Sequence, residues 1–182
     1  MSSVFYIASD FPLAERKNPH EKMVSINEAL AQGIKISDCL LEREIDRDKP
    51  GVIMVSDRDV IIDVNTGVIT DGNFADDFSV LVAEKTDGMR TTKNYCAFLE
   101  MVRYTPERAA QFIEYLKEHL KNTSEIELWH AWISNELNDS INKIEKNVSI
   151  DDLKSEAIAE LMSRETWTDL HELTDYCYII SR

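Results

Sequence analysis

An α+β domain with a mainly antiparallel sheet is what this sequence predicts, and three observations predict it. Strand-like apolar segments stand near both ends, VFYIAS at 4–9 and YCYII at 176–180. A capped amphipathic helix is written between them, over 106–121. Hydrophobic residues make up 43% of the 182, with only 5 Gly and 4 Pro, so a packed core is affordable and collagen or low-complexity disorder is excluded.

Residues 4–9 form the first strand, and Phe11-Pro12-Leu13 ends it. Residues 15–20 are polar and loop-like. Ser25-Ile26-Asn27-Glu28 is a capping box: the Ser hydroxyl accepts the N3 amide while the Glu carboxylate reaches back to the Ser amide. Ile26, Ala29 and Leu30 give that helix its apolar face, and Gly33 stops it. A second short helix is expected at 38–44. Strands follow at 52–55 and 60–64, then a hairpin loop at Asn65-Thr66-Gly67, a return at 68–70, an acidic loop at 71–77 and a strand at 78–83. The polar stretch 84–93 is the natural sub-boundary of a single domain spanning 1–182.

The second half is written more plainly. Residues 94–104 read as a strand. Thr105 caps the next helix, Pro106 suits its first position, and Glu107 suits the positive end of its dipole. Ala109, Phe112, Ile113, Leu116 and Leu120 make one apolar stripe, and Arg108 is placed with the outer face. Residues 125–133 form a strand, while 134–147 is a long polar loop or hairpin arm. Ser149-Ile150-Asp151-Asp152 reads as a second capping box, opening a helix over 150–162 buried through Leu153, Ala157, Ile158, Leu161 and Met162. With a short strand near Val148, this half follows the order of a ferredoxin-like β-α-β-β-α-β unit. The first half adds hairpins and short helices.

Net charge is −14, from 34 acidic and 20 basic residues. That balance disfavours nucleic acid and anionic membrane, and steers the chain toward basic partners. Apolar runs are too short to span a bilayer, and 4–8 has no basic segment before it, so a cytoplasmic protein is expected. Cys39, Cys96 and Cys177 are odd in number and widely spaced, which is neither a disulfide framework nor a zinc site.

No dinucleotide-binding glycine motif, P-loop, His-Glu-x-x-His or Gly-x-Ser-x-Gly occurs. No cofactor is implied. The densest local feature is acidic: Asp57, Asp59, Asp63, Asp71, Asp76 and Asp77. Carboxylates so grouped suit a hard cation, but turn chemistry, which favours Asp at hairpin ends, and a solvated acidic surface are the plainer account. Asp63-x-Asn65 opens like a calcium loop and then departs from it, with Val68 at position six and Phe74 at position twelve. In the strand around Trp129-His130-Ala131-Trp132, alternation places Leu128, His130 and Trp132 on one face and Trp129 and Ala131 on the other. His130 and Trp132 are therefore candidate pocket residues. Cys96 and His130 form a conceivable nucleophile–base pair only if the sheet brings them together.

The phrases Phe5 to Leu13 (FYIASDFPL), Asn18-Pro19-His20, Ser25 to Leu30 (SINEAL) and Glu125 to His130 (EIELWH) resemble a family of small acidic cytoplasmic bacterial proteins with no assigned function. The likeness spans most of the chain, brings no catalytic residues and implies a compact bacterial single-domain protein. The residues themselves point to a non-enzymatic binding protein, immunity-like or regulatory. It would capture a basic protein on Asp57, Asp59, Asp71, Asp76 and Asp77, with no metal. The alternatives are a divalent-metal hydrolase using the same carboxylates, and a ferredoxin-like small-molecule sensor with a pocket at His130 and Trp132.

Overall fold

The computed structural model describes residues 3–56, 61–62, 69–70, 74–101, 103–133, 141–164, 166 and 173–182. Over the described residues it is α+β, with four helices and a mainly antiparallel main sheet. The chain divides into two compact units, Met1–Lys17 with Phe74–Arg182, and Asn18–Asn73.

The larger unit is built on six strands: β1 (Ser3–Ser9), β6 (Ser79–Ala83), β7 (Tyr95–Glu100), β8 (Glu125–Trp132), β9 (Ile141–Ser149) and β10 (Leu173–Ser181). Their lateral order is β6-β7-β1-β8-β10-β9. Every neighbouring pair is antiparallel except β9 and β10, which run parallel. Helix α3 (Pro106–Leu120) joins β7 to β8, and α4 (Ser155–Ser163) supplies the crossover that parallel β9 and β10 require. The chain order from β7 onward is the expected β-α-β-β-α-β. In the sheet, however, β1 stands between β7 and β8, so the C-terminal strands are not four adjacent ones.

Alternation along the strands sorts the interior. Ile7, Ala97, Leu99, Ile126, Leu128, Tyr178 and Ile180 face α3 and α4, where Phe112, Leu116, Ile158 and Leu161 meet them. Tyr6, Ala8, Cys96, Trp129, Ala131 and Cys177 form a second cluster on the opposite face. Thr105 caps α3 as its hydroxyl accepts the Arg108 N–H, and Pro106 opens the helix.

The fold departs from expectation at three places. Residues 141–149, expected within a loop and a short strand, form the nine-residue β9. It lacks apolar alternation because residues 142–147 are exposed at the sheet edge. The capping box at 149–152 does not form. Ser149 ends β9 opposite Ser181, Ile150 N–H donates to the Ser181 carbonyl, and the helix begins only at Ser155. Arg108 is not on the outer face of its helix but wholly buried.

The smaller unit holds β2 (Glu21–Val24) paired antiparallel with β3 (Ile53–Ser56), a two-residue ladder between β4 (Ile61–Ile62) and β5 (Ile69–Thr70), and helices α1 (Ile26–Ala31) and α2 (Asp38–Leu41). The capping box of α1 forms as expected, with Glu28 N–H donating to Ser25 Oγ and Ser25 N–H to Glu28 Oε2. Gly33 follows at φ 76°, the left-handed conformation that ends a helix. The turn at 65–67 lies outside the described residues.

Candidate functional site

The acidic candidates separate. Asp57, Asp59 and Asp71 lie outside the described residues, as do Asp63 and the loop at 134–140. Asp76 is half-buried, and its backbone carbonyl accepts from Arg16 Nη2 at 3.1 Å. Asp77 does not belong to an acidic surface. Its side chain is 0% exposed and sits 2.8 Å from Arg108 Nη2, itself 0% exposed. Arg108 also donates from Nε to the Phe74 carbonyl at 2.9 Å and from Nη1 to the Arg103 carbonyl at 3.0 Å. A carboxylate is buried there because a guanidinium, itself fixed by two carbonyls, neutralises it. The pair clamps the turn before β6 to the first turn of α3. Among the described residues no group of three His, Cys, Asp or Glu side chains is placed to hold a metal ion.

His130 and Trp132 share a sheet face, as alternation requires, and that face is covered by α4. His130 Nδ1 lies 3.1 Å from the Leu161 carbonyl, which only accepts, so Nδ1 carries the proton. Nε2 then accepts from Ser3 Oγ at 3.0 Å, and the ring stacks on Phe5 at 4.1 Å. Burial lowers the His130 pKa, against the opposing pull of the Leu161 carbonyl. Trp132 Nε1 donates to the Thr166 carbonyl at 3.1 Å. Both side chains are thereby committed to packing. Cys96 and His130 lie on opposite faces of the sheet, and β1 stands between their strands.

The chemically dense region is the opposite face, that of Tyr6, Trp129 and Cys177. Strand registers place Tyr6, Trp129, Cys177 and Glu145 in one row across four strands, with Asp175 opposite Lys143 in the next. The Tyr6 and Trp129 rings stack at 5.6 Å and 7°. Tyr6 Oη accepts the Arg90 N–H at 3.1 Å, which ties the 84–93 loop to this face. Arg90 Nε stands 3.5 Å from Asp175 Oδ2, while Asp175 Oδ1 accepts the Trp132 N–H at 2.9 Å. Lys143 Nζ is 4.8 Å from the centre of the Trp129 ring and 2.6 Å from Glu145 Oε1. Glu127 Oε2 accepts from Trp129 Nε1 at 2.8 Å and Thr91 Oγ1 at 2.6 Å.

Arg90, Ile141, Lys143 and Asp175 line a cleft of about 220 Å³. Asp175 is 1% exposed, and burial raises its pKa against the opposing effects of the Trp132 N–H and Arg90. Burial likewise raises the Cys177 thiol and the Tyr6 phenol, so neither is a ready nucleophile or base near neutral pH. A small anion held between Arg90 and Lys143 would compete there with their carboxylate partners, Asp175 and Glu145. Sequence reasoning missed this cleft. Asp175 had a visible sign, an acid in phase with Cys177 and Ile179 inside an apolar strand, but nothing around Arg90 or Lys143 set them apart from other surface cations.

No protein-family model, curated protein or solved structure matches this chain.

Proposed function

We propose that the chain is a non-enzymatic binding protein, immunity-like or regulatory, that captures a basic partner. One observation carries this reading, the surplus of 14 negative charges and where it sits. The described ion pairs occupy cations throughout the larger unit, at Arg90, Lys93, Arg108, Lys117, Lys121, Lys143, Lys146 and Arg164. Carboxylates such as Glu15, Glu42, Asp87, Glu107 and Asp151 are exposed. A surface so charged accelerates encounter with a basic protein and repels nucleic acid. The roles of His119, His130, Cys96 and Cys177 are consistent with binding rather than catalysis. His119 meets Ser9 Oγ at 2.8 Å, His130 is hydrogen-bonded at both nitrogens, and the two thiols are buried. Asp57, Asp59, Asp71 and Asp76 remain the proposed contact residues, without Asp77. Reversing those four to Lys should weaken partner binding by about tenfold or more. Unchanged affinity would remove this surface from the proposal.

The cleft favours a second reading, a small-molecule sensor whose ligand is anionic. This moves the proposed pocket from His130 and Trp132 to Arg90, Lys143 and Asp175. A ligand that binds only the folded chain raises its melting temperature. Small carboxylates and inorganic phosphate should therefore raise it in wild type and not in K143A. No shift with any of them would end this reading. The metal-hydrolase alternative is tested in the same assay with Mg²⁺, Mn²⁺ and Ca²⁺.

A further inference from the structure

β9 closes one end of the six-stranded sheet, and among the described residues no strand pairs with its outer edge. Residues 142–147 are exposed in succession, and Ile144 is 51% exposed. An edge of this length offers a row of backbone donors and acceptors to another strand. Its charges, Lys143, Glu145 and Lys146, fix which strand fits.

Two copies meeting antiparallel about a two-fold axis set side chains of the same sheet face opposite each other. A register centred on Lys143 or Lys146 would oppose two ammonium groups, and one centred on Glu145 would oppose two carboxylates. A register centred on Ile144 opposes Ile144 to Ile144 of the partner subunit. It also sets Lys143 against Glu145 of the partner subunit, and Glu145 against Lys143 of the partner subunit. Lys143 and Glu145 already pair within one chain, so four alternating charges would close a ring across the axis. Edge lysines ordinarily deter pairing. Here both signs are present, in an order that matches itself.

We propose that two copies of this chain pair antiparallel through β9, in the register centred on Ile144, to form a homodimer with a continuous sheet. Sedimentation equilibrium of the full chain should then show twice the monomer mass of 20.9 kDa. K143E and E145K each place like charges across the axis twice and should raise the dimer dissociation constant about tenfold. K143E/E145K restores the match and should return the constant to near the wild-type value. I144C, in a C39S background, should cross-link under mild oxidation. Opposed Cα atoms of an antiparallel pair lie about 4.5–5.5 Å apart, within disulfide reach. A chain that stays monomeric at every concentration overturns the proposal. So does a charge-swapped double variant as weak as either single one, or a dimer that neither responds to charge reversal nor cross-links through I144C.

Discussion

Two buried carboxylates in the larger unit sit in different kinds of place. Asp77 meets Arg108 at 2.8 Å, both are fully buried, and two backbone carbonyls hold the guanidinium. Asp175 meets Arg90 at 3.5 Å, and Arg90 is 18% exposed at the wall of a cleft. The first pair has the geometry of a clamp. In the second, one oxygen is held by a backbone N–H while the other faces a longer, more open contact. A buried charge alone therefore does not mark a binding site. What separates the two is access, together with a second cation at Lys143.

The largest effect should come from breaking the clamp. D77N removes the carboxylate charge that faces the buried Arg108 and should cost about 3–5 kcal/mol in urea unfolding, whereas D77L/R108M should recover most of it. By contrast, D175N keeps an acceptor for the Trp132 N–H and removes a charge that burial disfavours, so its stability should lie within about 1 kcal/mol of wild type. If D175N is as damaging as D77N, Asp175 is a second clamp and the contrast fails. D175A, which orphans that N–H, should fall between them at about 1–3 kcal/mol.

Acid should separate the two faces further. Burial lowers the pKa of His119 and His130 from the ordinary 6.5, so the unfolded chain takes up protons first. Their contribution is complete above about 6.5 and is lost as pH falls through the depressed folded values. Asp175 has the opposite sign. Its folded pKa lies above the ordinary 3.8, so the cost of burying its charge is relieved as pH falls through the raised value. Melting temperature should thus decline below about pH 6.5. H130N should make that decline shallower, and D175N should remove the opposing gain that comes as pH falls through the raised Asp175 value. The smallest effect should be the few-degree rise in melting temperature given by small anions at the cleft, abolished in K143A.

What could be read in advance follows from burial on one side only. The strand at β8 announced its two faces because Leu128, His130 and Trp132 alternate with Trp129 and Ala131. Thr105 and Pro106 announced α3, and the box at Ser25 announced α1. β9 stayed hidden, since an exposed edge strand needs no apolar alternation. The ladder of Glu21–Val24 with Ile53–Ser56 was half-hidden for a similar reason: Met23 and Met54 stand opposite each other and are both exposed. Arg108 was misplaced although its spacing gave a sign. It lies four residues before Phe112, on the apolar stripe, where a cation must bring its own counter-charge. The cleft assembles Arg90, Lys143 and Asp175 from three separate segments, and no local pattern joins them.

We propose that a basic partner is captured through Asp57, Asp59, Asp71 and Asp76. A tagged pull-down from the native host's lysate, at low and at high salt and read by mass spectrometry, tests it most directly. A basic protein should be recovered at low salt, lost at high salt, and lost from the variant with Asp57, Asp59, Asp71 and Asp76 reversed to Lys. Recovery that ignores both salt and charge reversal, or the absence of any specific partner, would contradict it.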